Sequence, residues 1–421
     1  CLVGSEMCIR DRLMNSILKL VALVLLPCLA LSCCKKNNEE PKPEIKTGKF
    51  SQILPDENGQ RAAVAPIAFS LPEGKEFKLQ VEGVGDLTLV GAYATQVKGI
   101  YKAGKSGKVG IEGSLNIFDL TSDDVTEVKV QKSSPALKRL VVLTEDYGNS
   151  NLKNISLDNA PNLTYLWLAG HQLATLDLTK LGKLVLLGLG SWGGKSNNPY
   201  FPGKERSSDY KKVLLPANNV IEYISTRSPL TNESIDLDNL PKLKVLMAQS
   251  PRFSKVSLAK SQDIRQVIIM RPYGGERFDI DLENKPQLED ISLQETGHLI
   301  FKVHNAPKLS AKKSTLIISG AETVDLAGIP AEAFAPILSS FSGAKVANLS
   351  VAGKDIESLN LTKFTSLKKL TLKATGINED ALVSIANALP STNGVLIIEA
   401  SRATAKVKAA LQSKGWTTAE N

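Results

Sequence analysis

Residues 163–189 read LTYLWLAGHQLATLDLTKLGKLVLLGL, and this stretch decides the fold. A half-rung of the form Leu-x-x-Leu-x-Leu occurs in it at Leu163, Leu166 and Leu168, again at Leu173, Leu176 and Leu178, and again at Leu184, Leu187 and Leu189. Two half-rungs make a rung of about 21 residues. Self-similarity at such a period marks a solenoid, whose coils bury their apolar face only by stacking on one another.

The ladder extends well beyond this stretch. The last apolar pair of the second half-rung recurs at Ile155 and Leu157, Ile235 and Leu237, Val256 and Leu258, Ile280 and Leu282, Phe301 and Val303, and Leu359 and Leu361. Each next coil then opens at Leu163, Leu243, Ile264, Leu288, Leu309 or Leu367. Pro161, Pro241, Pro286 and Pro307 stand two residues before four of these openings. Proline has no amide donor, so it suits a corner and not a paired position inside a strand. The expectation is a leucine-rich-repeat solenoid, β-rich, with parallel strands over residues 113–375.

Side chains alternate along a strand, so the leucines fill the coil and the residues between them face outward. On the second half-rung the outward positions are polar, as in Thr175, Asp177 and Thr179 or Asp279, Asp281 and Glu283. On the first half-rung they are apolar. They read Arg139, Val141 and Leu143; Tyr165, Trp167 and Ala169; Leu186, Gly188 and Gly190; Val245, Met247 and Gln249; Gln266, Ile268 and Met270. The stripe then turns polar at Asp290, Ser292 and Gln294. An outward apolar stripe on one face is the kind of patch that marks an interaction surface.

Composition bounds the rest. The 421 residues are 43% apolar and 22% charged, ordinary for a globular chain, with only 5% aromatic residues. All five cysteines lie at or before Cys34, so no disulfide joins two downstream residues and the solenoid must hold by packing. The net charge of +8 is spread as Lys among Asp and Glu, with no basic stripe interleaved with stacking aromatics, so no nucleic-acid partner is expected.

From Met14 the chain reads MNSILKLVALVLLPCLALSCC: a Lys-bearing start, a short apolar run and small residues before cysteine. This is the pattern of a signal peptide over 14–32, too short for a spanning helix. Residues 33–49 are charged and Pro-bearing and read as a flexible tether. Residues 1–13, ahead of this start, read as translated adapter sequence without function. Residues 50–112 alternate as strands, and we expect a small β cap there, because an end coil otherwise exposes its core. Residues 376–421 carry helical spacing in INEDALVSIANALP and ATAKVKAALQSKGW around the strand VLIIEA, an expected α/β cap.

The ladder breaks after Leu189 with an insertion, 190–216, that brings Trp192, Tyr200, Phe201 and Tyr210 into an aromatic-poor chain. A shorter break after Met270 brings Arg271, Tyr273 and Arg277. Long loops in compact arrays are functional or fold over something. Two readings stay open: the aromatics cover Trp167 and Met247, or they frame a ligand groove.

Catalytic and metal chemistry find no residues to carry them. His171, His298 and His304 lack neighbours at metal-ligand spacing and read as turn residues. The column Asp177, Asp236 and Asp281 is interrupted and reads as a solvated face. No Gly-rich phosphate loop follows a strand and no Gly-x-Ser-x-Gly elbow appears, so neither an enzyme nor a bound cofactor is expected.

The end of the signal segment, Ala30-Leu31-Ser32-Cys33, resembles the lipobox of bacterial lipoproteins, and that resemblance makes Cys33 the lipidated residue. Together with LATLDLTKLGKLVLLGL and IESLNLTKFTSLKKLTL it resembles the surface leucine-rich-repeat lipoproteins of Bacteroidetes, and the repeat is similar to that of bacterial internalins. The resemblance implies an outer-membrane lipoprotein, at the cell surface or on the periplasmic side, whose solenoid serves recognition or adhesion. Three functions are carried forward. The first is protein binding through Tyr165, Trp167, Val245, Met247, Ile268 and Met270, whose types dominate interface cores. The second is glycan binding through Trp192, Tyr200, Tyr210 and Tyr273, and the third is an envelope component that self-associates.

Overall fold

A computed structural model describes residues 45–47, 50–144, 150–190, 208–271, 277–295, 297–318, 320–341, 345–352, 361–373 and 377–420. The chain forms two compact units. One comprises residues 1–219 and 225–228, the other 220–224 and 229–421. Both are built on parallel strands stacked coil on coil, the β-solenoid that the leucine period implies.

In the first unit the strands Glu76–Val90 and Lys108–Thr121 run antiparallel, with Gln80 opposite Asp119. The other edge of Lys108–Thr121 pairs in parallel with Arg139–Leu143. That strand pairs in parallel with Tyr165–Ala169, which pairs with Leu186–Leu189. One strand therefore converts an antiparallel sheet into a parallel stack. Ile67–Ser70 braces it, pairing antiparallel with both Lys108–Thr121 and Glu127–Val130.

The interior is made by the leucines of the ladder. Leu163, Leu166, Leu168, Leu176, Leu178, Leu184, Leu187 and Leu189 are all fully buried. Each buried leucine side chain is worth about 1.5–3 kcal/mol of transfer free energy, so the repeat needs no covalent brace. The corners follow from the prolines. Pro161 sits inside a turn closed by Leu163 N–H donating to the Ala160 carbonyl at 3.1 Å, and Pro307 inside the turn from Ala306 to Leu309, also 3.1 Å. Pro241 and Pro286 occupy the same place between Leu240 and Leu243 and between Lys285 and Leu288. Position i+1 of such a turn wants φ near −65° and has no use for an amide hydrogen.

Part of the stretch expected to be an insertion is regular. Asp209–Leu214 is a strand paired in parallel with Gln172–Asp177, Leu173 opposite Tyr210 and Leu176 opposite Val213. Residues 191–207 lie outside the described residues.

The second unit carries the strands Val245–Gln249, Gln266–Arg271, Asp290–Glu295 and Thr315–Ile318 in one parallel series. Among the described residues a second parallel sheet has eight strands, from Lys255–Val256 to Thr417–Glu420. Helices Ala331–Ser339, Glu379–Ala388 and Ala405–Gln412 lie between strands of this sheet. The last two start on side-chain caps: Asn378 accepts from Ala381 N–H at 2.8 Å and Thr404 from Val407 N–H at 3.3 Å. At equivalent corners Asn284 and Asn305 both adopt φ of 52°, and Asn305 Nδ2 donates to Asn284 Oδ1 at 2.7 Å. Asparagine tolerates this left-handed region better than most side chains.

Candidate functional site

The register of the first unit places the outward residues in rows across one sheet face. Gln80, Asp119, Val141, Trp167 and Gly188 form one row, each opposite the next. Lys78, Thr121, Leu143 and Ala169 form the row beside it. Arg139, Tyr165 and Leu186 lie on the other side. The face thus grades from polar at the antiparallel strands to apolar on the first coils.

The apolar part is packed, not bare, which answers the question of cover that the sequence left open. Trp167 is 2% exposed, and Tyr165, Val141, Leu143 and Ala169 are buried with it in one cluster against Leu186. In the second unit Val245, Met247 and Ile268 are buried and Met270 half-buried. Strands in a sheet lie about 4.8 Å apart, so large side chains on successive coils shield one another along the ladder. The tyrosine and tryptophan rings stack with centroids 6.2 Å apart. The indole reaches over Gly188, where a Cβ would stand 2.6 Å from Cε3 and 2.8 Å from Cε2. Only a glycine leaves room for it.

At the polar end the face opens. A concavity of about 450 Å³ has Gln80, Asp119 and Thr121 on its floor and Val141, Leu143 and Trp167 at its apolar end. Its rim is the turn between the strands Ala92–Ala94 and Ile100–Ala103, which brings Val97 and Lys98. Thr95 holds this turn: its Oγ1 donates to the Ile100 carbonyl at 2.9 Å and accepts from Val97 N–H at 3.1 Å. Val97 is 58% exposed on it.

Arg139 grips Asp119 with two nitrogens, Nε to Oδ1 at 3.0 Å and Nη2 to Oδ2 at 3.0 Å. Its guanidinium lies 4.4 Å from the Tyr165 ring centroid. Burial pushes the Asp119 carboxyl above its usual value despite the opposing pull of Arg139. Sequence reading missed Asp119. The signal was present: the carboxylate falls in the same alternating register as Val141 and Trp167, one strand earlier than the ladder was read.

The other sequence candidates separate. Tyr210 is buried, its hydroxyl donating to the Leu168 carbonyl at 3.2 Å, and burial raises its pKa. It is a core residue. Cys33, Trp192, Tyr200, Phe201 and Tyr273 lie outside the described residues, and so does the side chain of Arg271. Arg277 pairs with Asp279 at 3.0 Å on the surface.

His171 is buried, with Nδ1 2.7 Å from Ser150 Oγ and Nε2 2.8 Å from the Val142 carbonyl oxygen, so it ties two coils together. Asp177 accepts from Thr179 N–H at 2.9 Å, Asp236 from Asp238 N–H at 3.1 Å, and Asp281 pairs with Lys255 at 3.1 Å. Among the described residues no group of three or more His, Cys, Asp or Glu side chains is arranged to hold a metal ion. Searches against protein-family models and against curated proteins found no match to this chain.

Proposed function

We propose that this chain is a lipid-anchored, extracytoplasmic recognition protein that binds a protein partner at the open end of its outward sheet face. The observation that carries the reading is the concavity, where a continuous apolar cluster meets Arg139 and Asp119 beneath a rigid turn that exposes Val97. Interfaces are built in this way, from a buried apolar centre with a polar rim. The rest of the cluster supports that centre from below. The anchoring half of the proposal rests on Ala30-Leu31-Ser32-Cys33 and the charged tether after it. A cysteine carrying two or three acyl chains has enough methylene groups for stable attachment.

A photo-activated cross-linker at position 97, in cells that export the chain, should yield a discrete protein adduct. The same group at exposed Lys180, on a turn, should not. Equal labelling at both positions, or none at 97, refutes binding at this face. Labelled palmitate should enter the full chain and be lost in Cys33→Ser; its retention refutes the anchor.

A further inference from the structure

We infer that the concavity receives an acidic protein segment that inserts one apolar side chain. This deepens the recognition reading and rests on it.

Size sets the first limit. About 450 Å³ lies in the range of sites that enclose a single compact group, and it is far smaller than a whole interface. One large side chain with its flanking backbone fills it. Val97 supplies the exposed apolar surface at the rim, and Leu143, Val141 and Trp167, themselves nearly covered, close the inner end with apolar atoms. Val97 is held there by the Thr95 bonds, so it loses little freedom when covered.

Charge sets the second limit. The titratable groups lining the space are Lys78, Lys98, Asp119 and Arg139. The Asp119 carboxylate is engaged bidentately by Arg139 and offers little to a cationic ligand. Beyond the lining, Lys102 pairs with Glu76 at 3.4 Å and Lys75 with Asp124 at 3.3 Å. Among the described residues no acidic side chain pairs with Lys98, and Lys98 is exposed at the mouth next to Val97. Asp123 lies on the adjoining surface with Lys78 and offsets its charge, so the positive balance at the entrance is carried by Lys98. A segment with carboxylates beside its inserted side chain meets complementary charge, while a basic segment meets repulsion.

The test is selection of a random-peptide phage library against the folded chain, followed by titration of the selected peptides. Acidic sequences around one apolar or aromatic residue should be enriched. Their affinity should fall about tenfold in Lys98→Glu and should weaken as salt rises. Val97→Ser should weaken them several-fold. Both residues are exposed, so the melting temperature should not move and a lost signal is not lost folding. Enrichment of neutral or basic peptides, or of peptides indifferent to Lys98→Glu, overturns the acidic class and leaves the recognition reading standing. No enrichment together with no adduct at position 97 overturns both.

Discussion

Substituting Gly188 tests whether the indole of Trp167 is held by its neighbour on the next coil. In Gly188→Ala the new Cβ stands 2.6 Å from Trp167 Cε3 and 2.8 Å from Cε2, a separation that two carbons do not tolerate. A planar ring cannot give way as a flexible chain end does, so the indole must tilt out of its place beside Tyr165. Overpacking of this kind costs about 1–3 kcal/mol. Replacing a strand glycine by alanine returns roughly 0.5–1 kcal/mol of backbone entropy, so the net loss is about 1 kcal/mol and at most about 2.5. Urea denaturation followed by circular dichroism reads the loss as a lower midpoint. The decisive comparison repeats Gly188→Ala in a Trp167→Leu background, where the clash partner is gone and the alanine should be neutral or stabilising. An equal cost in both backgrounds refutes the packing argument.

Three further outcomes follow from the described residues. Lys285 is buried at a corner where other coils place Ala160, Leu181, Leu240 or Ala306; its Nζ donates to the Leu258 carbonyl at 2.7 Å, and burial lowers its pKa. Lys285→Met should leave the urea midpoint unchanged or raise it by the equivalent of about 1 kcal/mol, and a large loss shows that the ammonium is needed. Asn305→Ala forces alanine to φ of 52° and removes the bond to Asn284, which should cost about 1–2 kcal/mol, while Asn305→Gly should cost less; equal losses reject the backbone argument.

Asp325 supplies the pH dependence. Burial works against its charge, but His304, with Nε2 3.0 Å from the carboxylate, and Lys373, with Nζ at 3.2 Å, outweigh it and hold the carboxyl below its ordinary value. A depressed carboxyl stabilises the fold above its unfolded pKa, about 3.9, and that contribution is lost as pH falls through the folded value. The stability gap between the unmodified chain and Asp325→Asn should be full at neutral pH and should narrow below about pH 4. A constant gap across that window rejects the assignment.

The solenoid was legible because its cause is local. Leucines two residues apart point the same way on a strand, the leucine three before them sits in the corner, and a spacing repeated through Leu166, Leu187 and Leu246 leaves stacked coils as the means of burying them. Corner prolines were legible for the same reason. Asp209–Leu214 escaped because its partner residues lie 37 positions earlier, Leu173 against Tyr210, and its charged DYKKVL gives little alternation. Thr417–Glu420 escaped because TTAE has no apolar signal; its neighbour Val395–Ile398 dictates its extended form. The burial of Trp167 was not legible, because one strand read alone omits the side chains on either side of it.

The strand Lys108–Thr121, antiparallel on one edge and parallel on the other, also bears on how the chain folds. Parallel pairs are slow to form, since each must close a long loop before any ladder bond rewards it. Here the antiparallel sheet of residues 67–121 contains one tight hairpin, closed between Ala94 and Tyr101, from which pairing can start, and once made it offers Arg139–Leu143 a finished edge. Growth from that edge makes each later coil a nearest-neighbour addition. Substitutions within this sheet should therefore slow folding, and those in later coils should chiefly speed unravelling.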